Sequence, residues 1–126
     1  NGCFDILHVG HLWHLEEARG LGDRLIIALT VDTEVRKGPG FPIHPWEYRA
    51  QLLNALRCVD DVVPSRTCYD AIREIRPNIF VKGIDYISTL LDETRRACEE
   101  VGALLYFTRS PKLSSRAIIR RMEEAI

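Results

Sequence analysis

The 126-residue sequence lacks several features that mark specialised classes of protein. Its four cysteines, Cys3, Cys58, Cys68 and Cys98, include no C-x-x-C pair, so the spacing of a structural zinc site is absent. No apolar run approaches the ~20 residues that a membrane helix needs, and no secretory signal peptide is recognisable. These absences predict a cytoplasmic protein, not bound to a membrane, whose cysteines are reduced thiols.

The chain also lacks a strong charge of either sign. Its 17 basic and 18 acidic residues give a net charge of −1. Proteins that coat nucleic acid or bind anionic membranes carry an excess of positive charge, so neither partner is predicted. Hydrophobic residues make up 46% of the chain and charged residues 28%, as in ordinary globular proteins. One domain spanning residues 1–126 is therefore predicted.

Short apolar runs alternate with amphipathic segments along the chain. The apolar runs predict strands at 24–31, from 61 onwards, at 78–82 and at 103–108. The amphipathic segments predict helices at 11–21, 46–57, 69–75, 88–101 and 114–125. This alternation predicts a single Rossmann-like α/β domain with a doubly wound parallel sheet. Residues 1–4 are expected to end a first strand that is incomplete on its N-terminal side.

The first candidate site follows this first strand, because ligands of open parallel sheets bind at the carboxyl ends of the strands. His8, Gly10 and His11 lead into the first predicted helix, whose free N–H groups and partial positive charge favour a phosphate. Gly10 would let a phosphate approach the backbone closely, and two histidines three residues apart can face the same phosphate. The alternatives are a metal-binding pair without an evident third ligand, or two ordinary loop histidines. His14 and His44 are interpreted as a helix-surface residue and a loop residue.

Polar residues also follow the second strand. Asp32 can meet a ribose, a substrate hydroxyl or a metal, or it can cap a turn. Lys37 lies in the long irregular loop 33–44, where it can close on phosphates or remain solvated. Arg49, on the next helix, can point into the site or into solvent.

Candidate ligand-binding residues also follow the last two predicted strands. Gly83 permits close contact with a flat base, and Asp85 can accept hydrogen bonds from a nucleotide. Arg109 follows the last strand, while Ser114 and Ser115 begin the last helix, so these residues can form a second anion-binding corner. Serine capping of that helix is the structural alternative, and both roles are compatible. The shared location at successive strand ends is a stronger argument than any single residue.

Four segments resemble, in order and with matching spacing, the motifs of the cytidylyltransferase-like nucleotidyltransferases. They are G-C-F-D-I-L-H-V-G-H at 2–11, with the H-x-G-H signature, V-D-T-E-V-R-K-G-P-G-F-P-I-H-P-W-E-Y-R at 31–49, V-K-G-I-D-Y at 81–86 and R-S-P-K-L-S-S at 109–115. Within the family, the likeness is greatest to the adenylyltransferase domains of ADP-heptose synthases. Glycerol-3-phosphate and phosphoethanolamine cytidylyltransferases are the near alternatives.

The resemblance implies a role for each candidate residue. His8, His11 and Lys37 would be catalytic, the histidines at the α-phosphate and the lysine on the phosphates. Asp32 and Arg49 would bind the acceptor. The nucleotide would contact a larger set of residues, namely Cys3, Phe4, Gly10, Gly83, Asp85, Arg109, Ser114 and Ser115.

The resemblance also implies a reaction. AMP would pass from ATP to a sugar phosphate similar to heptose 1-phosphate, with release of pyrophosphate, as in the synthesis of lipopolysaccharide precursors. The alternatives are a CTP-dependent enzyme acting on glycerol 3-phosphate or phosphoethanolamine, a nucleotide-binding module without catalysis, and a domain of a larger bifunctional enzyme. Mg²⁺ would be the cofactor, held by the phosphates and not directly by the protein, and homodimers are common in the family.

Several residues depart from the family pattern. Pro111 and Lys112 stand where the family has an acidic residue and a glycine, and Arg116 replaces a common threonine. Ser110 and Ser115 also replace threonine but keep a hydroxyl group. These differences leave the nucleotide and the acceptor open.

Overall fold

The computed structural model describes Asn1–Ile126 and contains four strands and five α-helices. The strands are β1 (Ile26–Thr30), β2 (Asp61–Ser65), β3 (Ile79–Gly83) and β4 (Leu104–Thr108). The helices are α1 (Val9–Arg19), α2 (Trp46–Asn54), α3 (Cys68–Ile75), α4 (Asp92–Val101) and α5 (Ser115–Ala125). Short 3₁₀ turns follow β1 and β3, at Asp32–Glu34 and Ile84–Tyr86. Each predicted helix is present, with ends shifted by a few residues.

The strands pair in parallel, as predicted. β1 pairs with β2 and β3 pairs with β4, with Ile26 opposite Asp61 and Ile79 opposite Leu104. Parallel neighbours need a crossover connection, which α2 provides in the first pair and α4 in the second. Of the strand expected at residues 1–4, the structure shows a single parallel bridge from Gly2 to Leu29. The prediction of a Rossmann-like α/β fold is confirmed.

Two apolar clusters hold the two strand pairs against their helices. The cluster on the first pair includes Leu15, Leu29 and Leu53, from α1, β1 and α2. The cluster on the second pair consists of Ile72, Phe80, Ala97 and Cys98. None of the helices has the length and apolar character needed to span a membrane.

An apolar groove of about 360 Å³ separates the two strand pairs and is lined by α1, β1, α3 and β3. Asn1, Phe4 and His14 line this groove and also a second, polar cleft. The N-terminal segment and the first helix thus form the boundary between the apolar groove and the candidate site.

Candidate active site

A cleft of about 430 Å³ lies at the carboxyl ends of the strands and is lined largely by polar, charged and glycine residues. This is the location that the parallel topology predicts for a ligand. The structure brings together most of the predicted site residues here, namely Cys3, Phe4, His8, Gly10, His11, Lys37, Gly83, Asp85, Ser114 and Ser115. Asp32, Arg49 and Arg109 do not line the cleft.

His8 and His11 form a reciprocal cap at the N-terminus of α1. Nδ1 of His8 accepts the backbone N–H of Gly10 at 3.1 Å, and Nδ1 of His11 accepts the backbone N–H of His8 at 3.2 Å. A neutral imidazole has a hydrogen on only one of its two nitrogens. A ring that accepts a hydrogen bond through Nδ1 must therefore have that hydrogen on Nε2. The cap therefore fixes the tautomer that presents an N–H donor at Nε2 of each ring.

Both histidines are held in the neutral form. Burial lowers the pKa of His8, and burial together with the charges of His8, Lys37, His14 and Lys112 lowers the pKa of His11 to about 4. Nε2 of His8 is buried and has no hydrogen-bond partner within the protein. Buried polar atoms are almost always paired, so this donor is suited to an acceptor oxygen of a ligand.

Phe4 and Gly10 pack tightly around the two rings. Phe4 adopts a left-handed backbone conformation with φ of 47° and places its ring edge against His11, with 5.2 Å between the centroids. Such a conformation is uncommon outside glycine and is found at functional sites where packing enforces it. A Cβ atom at Gly10 would lie 3.0 Å from the His8 ring and 3.1 Å from Cβ of Leu113. A side chain at this position would therefore have to displace the His8 ring or Leu113 by a few tenths of an ångström.

The side chain of Arg49 is buried, and four of its five N–H donors form hydrogen bonds within the protein. It is 1% exposed. Its guanidinium donates to the carbonyls of Cys3, Thr30 and His44 at 2.8–2.9 Å and to the carboxylate of Asp32 at 2.6 Å. The expectation that Arg49 points into the site or into solvent is wrong, because three backbone carbonyls converge on it. Asp32 is partly exposed and pairs with Arg49 outside the cleft.

Two sets of contacts hold the loop that carries Lys37. Asp5, a buried carboxylate, accepts the backbone N–H groups of Ile43 and His44 at 2.7 and 2.9 Å. Arg116, on α5, donates to the carbonyl of Lys37 at 3.3 Å. Lys37 lines the same cleft as His8 and His11. His44 is a loop residue, as predicted.

The opposite end of the cleft combines an aromatic ring with two lysines. Nζ of Lys82 lies 4.3 Å from the centroid of the Tyr86 ring and donates to the carbonyl of Asn1 at 3.2 Å. Nζ of Lys112 lies 5.2 Å from the same ring and forms an ion pair with Asp85. A Cβ atom at Gly83 would lie 2.5 Å from Oδ1 of Asp85, so a side chain at this position would require the Asp85 carboxylate to move.

The N-terminus of α5 closes the cleft. Ser114 caps the helix by accepting the N–H of Ala117 at 3.3 Å, and Ser115 donates to the carbonyl of Ile6 at 3.4 Å. The side chain of Arg109 is exposed, and its backbone N–H donates to Glu17. Of the three residues predicted to form an anion-binding corner, Ser114 and Ser115 line the cleft, whereas the side chain of Arg109 does not.

His14 was interpreted as a helix-surface residue, and this is wrong. Nδ1 of His14 lies 2.7 Å from Oγ1 of Thr108, and the ring lines the cleft. Burial and nearby positive groups lower its pKa to about 4. The spacing of His8, His11 and His14, three residues each, places all three on one helix face and is the signal that could have identified it. Five further residues that were not named as site candidates line the cleft, namely Lys82, Tyr86, Thr108, Lys112 and Arg116. Lys82 and Tyr86 lie in the V-K-G-I-D-Y segment, which is the signal that could have identified them.

Four cations face the cleft against a single carboxylate. The cations are Lys37, Lys82, Lys112 and Arg116, and the carboxylate is Asp85. No group of three or more His, Cys, Asp or Glu side chains is close enough to hold a metal ion. A helix N-terminus, neutral imidazole donors and an excess of positive charge are the features of a phosphate-binding α/β domain.

Comparison with known proteins identifies the family of α/β domains to which the chain belongs. The family model described as cytidylyltransferase-like matches residues 1–121, so the chain belongs to this family and is a nucleotidyltransferase enzyme. It is 52% identical over 90 residues to the bifunctional protein HldE of Aeromonas hydrophila subsp. hydrophila, and 51% identical over 90 residues to HldE of Methylococcus capsulatus. Each alignment covers 68% of this chain and 19% of the relative, so the aligned part spans about a fifth of these relatives.

A solved structure has the same fold. The lipopolysaccharide core biosynthesis protein of Thermoplasma volcanium superposes with a TM-score of 0.71 at 28% sequence identity. The match covers 90% of this chain and 93% of that protein. The resemblance inferred from the four sequence motifs is thereby confirmed.

Proposed function

We propose that this chain transfers AMP from ATP to a sugar 1-phosphate of the heptose type and releases pyrophosphate. The observation that carries the proposal is the reciprocal cap of His8 and His11, which leaves two Nε2–H donors at a cleft with four cations. The identity of about 50% to HldE proteins and the fold shared with a lipopolysaccharide core biosynthesis protein support a role in making a lipopolysaccharide precursor.

The proposed reaction is an in-line displacement. An oxygen of the acceptor's phosphate forms a bond to the α-phosphorus, and the bond from that phosphorus to the oxygen of the leaving pyrophosphate breaks. A phosphate monoester is already an anion, so no protein nucleophile or base is required. Catalysis then comes from positioning and from charge stabilisation.

The histidines and the lysine loop would supply that stabilisation. Neutral Nε2–H donors of His8 and His11 would bind the α-phosphate oxygens, on which negative charge increases in the transition state. Lys37 would neutralise the leaving pyrophosphate or the acceptor's phosphate. Removing one donor of this type typically lowers the rate by about 10²–10³.

The nucleoside would occupy the end of the cleft formed by Gly83, Asp85 and Tyr86. The glycine turn leaves room for a flat base, and the carboxylate can accept a hydrogen bond from the ribose or the base. Lys112 pairs with Asp85, so nucleoside binding at Asp85 would require this ion pair to rearrange. The hydroxyl groups of Ser114 and Ser115 and the α5 N-terminus would bind the triphosphate.

Mg²⁺ is the proposed cofactor and would be held by phosphate oxygens. When bound, it neutralises part of the triphosphate charge. The groups that face the cleft are mostly cations and N–H donors, which suit phosphate oxygens better than a metal ion. The protein's own residues would therefore bind the substrates' phosphates, and the metal would arrive with the triphosphate.

A substrate panel tests the proposal. Pyrophosphate release would be measured with Mg²⁺ and either ATP or CTP, against heptose 1-phosphate, other sugar 1-phosphates, glycerol 3-phosphate and phosphoethanolamine. We expect release with ATP and the heptose 1-phosphate. Release only with CTP would replace the proposal by a cytidylyltransferase, and triphosphate binding without release from any pair would favour a non-catalytic module.

A further inference from the structure

Glu17, on α1, forms hydrogen bonds to the segment between β4 and α5 that lines the cleft. Its carboxylate accepts the backbone N–H of Arg109 at 3.0 Å and that of Ser110 at 2.9 Å, and it also accepts the hydroxyl group of Tyr106 at 3.1 Å. Glu17 lies on α1, six residues after His11, whereas its partners lie on β4 and just beyond it. One side chain thus connects regions about 90 residues apart in the sequence.

The hydrogen bonds to Glu17 stabilise the ionised form of its carboxylate. Burial opposes the ionisation of Glu17, but the hydrogen bonds from Ser110, Arg109 and Tyr106 outweigh it and hold the pKa below its usual range. The same contact raises the pKa of Tyr106. The glutamate is therefore charged at neutral pH, and hydrogen bonds to a charged group are stronger than neutral ones.

The contact determines how the chain leaves β4. With its N–H held by Glu17, Arg109 turns its side chain to solvent, while Ser110 lines the cleft. The following residues carry Lys112 and Ser114 to the cleft and begin α5. The hydrogen bond from Ser115 to the carbonyl of Ile6, which precedes α1, is longer, at 3.4 Å, so the two backbone bonds to Glu17 tie this segment more closely to the N-terminal part of the chain.

We infer that Glu17 is a positioning residue, which sets the triphosphate-binding segment 110–115 at the correct distance from His8 and His11. The inference rests on the proposed function, because it assigns the segment to the triphosphate. Glu17 does not touch the substrate itself. Its loss would displace the serines and the α5 N-terminus relative to the α-phosphate site and leave the acceptor's binding largely unchanged.

The test compares Glu17→Gln with Glu16→Gln. Glutamine keeps the size of the side chain but removes its charge and one of its two acceptor oxygens. Glu16 is exposed on the same helix, its side chain makes no hydrogen bond, and it provides the matched control. Tyr106→Phe removes only the hydroxyl donor and leaves both backbone contacts, so its effect should be the smaller one.

Two kinds of constant would be measured at a temperature where circular dichroism shows that every variant is folded. They are the Kd of the Mg²⁺ complex of ATP by calorimetry, and KM for ATP and for the acceptor separately. For Glu17→Gln we expect Kd and KM for ATP to rise about tenfold, with the acceptor's KM within about twofold of wild type. Glu16→Gln should match wild type in both.

The inference is overturned if Glu17→Gln changes the Kd for ATP by less than about twofold, or if both KM values rise in parallel, as a general loss of structure would cause. Failure of the proposed function is recognised separately, because the wild-type protein would then bind ATP without releasing pyrophosphate. The calorimetric comparison still decides the role of Glu17 in that case. Wild-type protein that binds neither ATP nor CTP would contradict both.

Discussion

His8 and His11 lie with their ring centroids 3.8 Å apart and their planes 19° from parallel, and the Nδ1 atom of each accepts a backbone N–H. The same two imidazole rings therefore cap α1 and line the cleft. The hydrogen bonds that begin α1 also decide which ring nitrogen of each histidine remains available to donate to a ligand.

Replacing His11 should abolish most of the turnover. His11→Ala removes one Nε2–H donor, so we expect kcat to fall by about 10²–10³. Because alanine also removes half of the cap, His11→Asn is the better variant, since its side-chain oxygen can still accept the N–H of His8. His44→Ala, in the loop outside the cleft, should retain wild-type kcat. Near-normal turnover by His11→Asn would exclude the proposed donor role.

The tautomers of the two histidines can be observed directly. ¹⁵N chemical shifts of the imidazole rings at pH 7 should show hydrogen on Nε2 and none on Nδ1 in both residues. Because the pKa of His11 is lowered to about 4, its ring should remain neutral at pH 5.5. Titration of His11 near 6.5, or a hydrogen on its Nδ1, would contradict the hydrogen-bonding pattern of the cap.

The same lowered pKa predicts how stability changes with pH. Unfolded His11 has an ordinary pKa of 6.5, so between pH 6.5 and about 4 the unfolded chain binds a proton that the folded chain does not. Neutral His11 therefore stabilises the folded protein fully above pH 6.5. The free energy of unfolding falls as the pH is lowered from 6.5 to about 4. The fall measured by urea denaturation should be smaller in His11→Asn. An equal fall in both proteins would show that His11 contributes nothing to it.

Arg49 should be essential for stability. Arg49→Met leaves three backbone carbonyls without their donor, and we expect it to lower the free energy of unfolding by at least about 3 kcal/mol. Arg36→Met, which removes an exposed ion pair with Glu34, should cost less than about 1 kcal/mol. Urea denaturation of both variants measures the difference. Equal losses would indicate that the buried hydrogen bonds of Arg49 do not stabilise the fold.

Gly10 should tolerate no side chain without loss of activity. A methyl group there would press on the His8 ring and on Leu113, so we expect Gly10→Ala to lower kcat by about tenfold or more. Gly22→Ala is the matched control, because a Cβ atom there meets no other atom within 4 Å. Comparable kcat values for the two variants would show that the close packing around His8 is unimportant.

Local patterns predicted the strands, the helices and the histidine pair, whereas long-range contacts could not be predicted from them. His8 and His11 were found because a strand end, a glycine and a helix start are adjacent in the sequence. The three carbonyls that bind Arg49 come from separate segments that meet only in the folded protein. Glu17 likewise resembles any helical glutamate until residues about 90 positions later pack against it.

The fate of an isotopic label tests the proposed reaction most directly. The protein would be incubated with Mg²⁺, heptose 1-phosphate and ATP labelled with ³²P at either the α- or the γ-phosphate. We predict that α-label enters the nucleotide sugar, that γ-label is released in pyrophosphate, and that His11→Asn slows both by about 10²–10³. Transfer of γ-label to the sugar, or its release as inorganic phosphate, would contradict nucleotidyl transfer at this site.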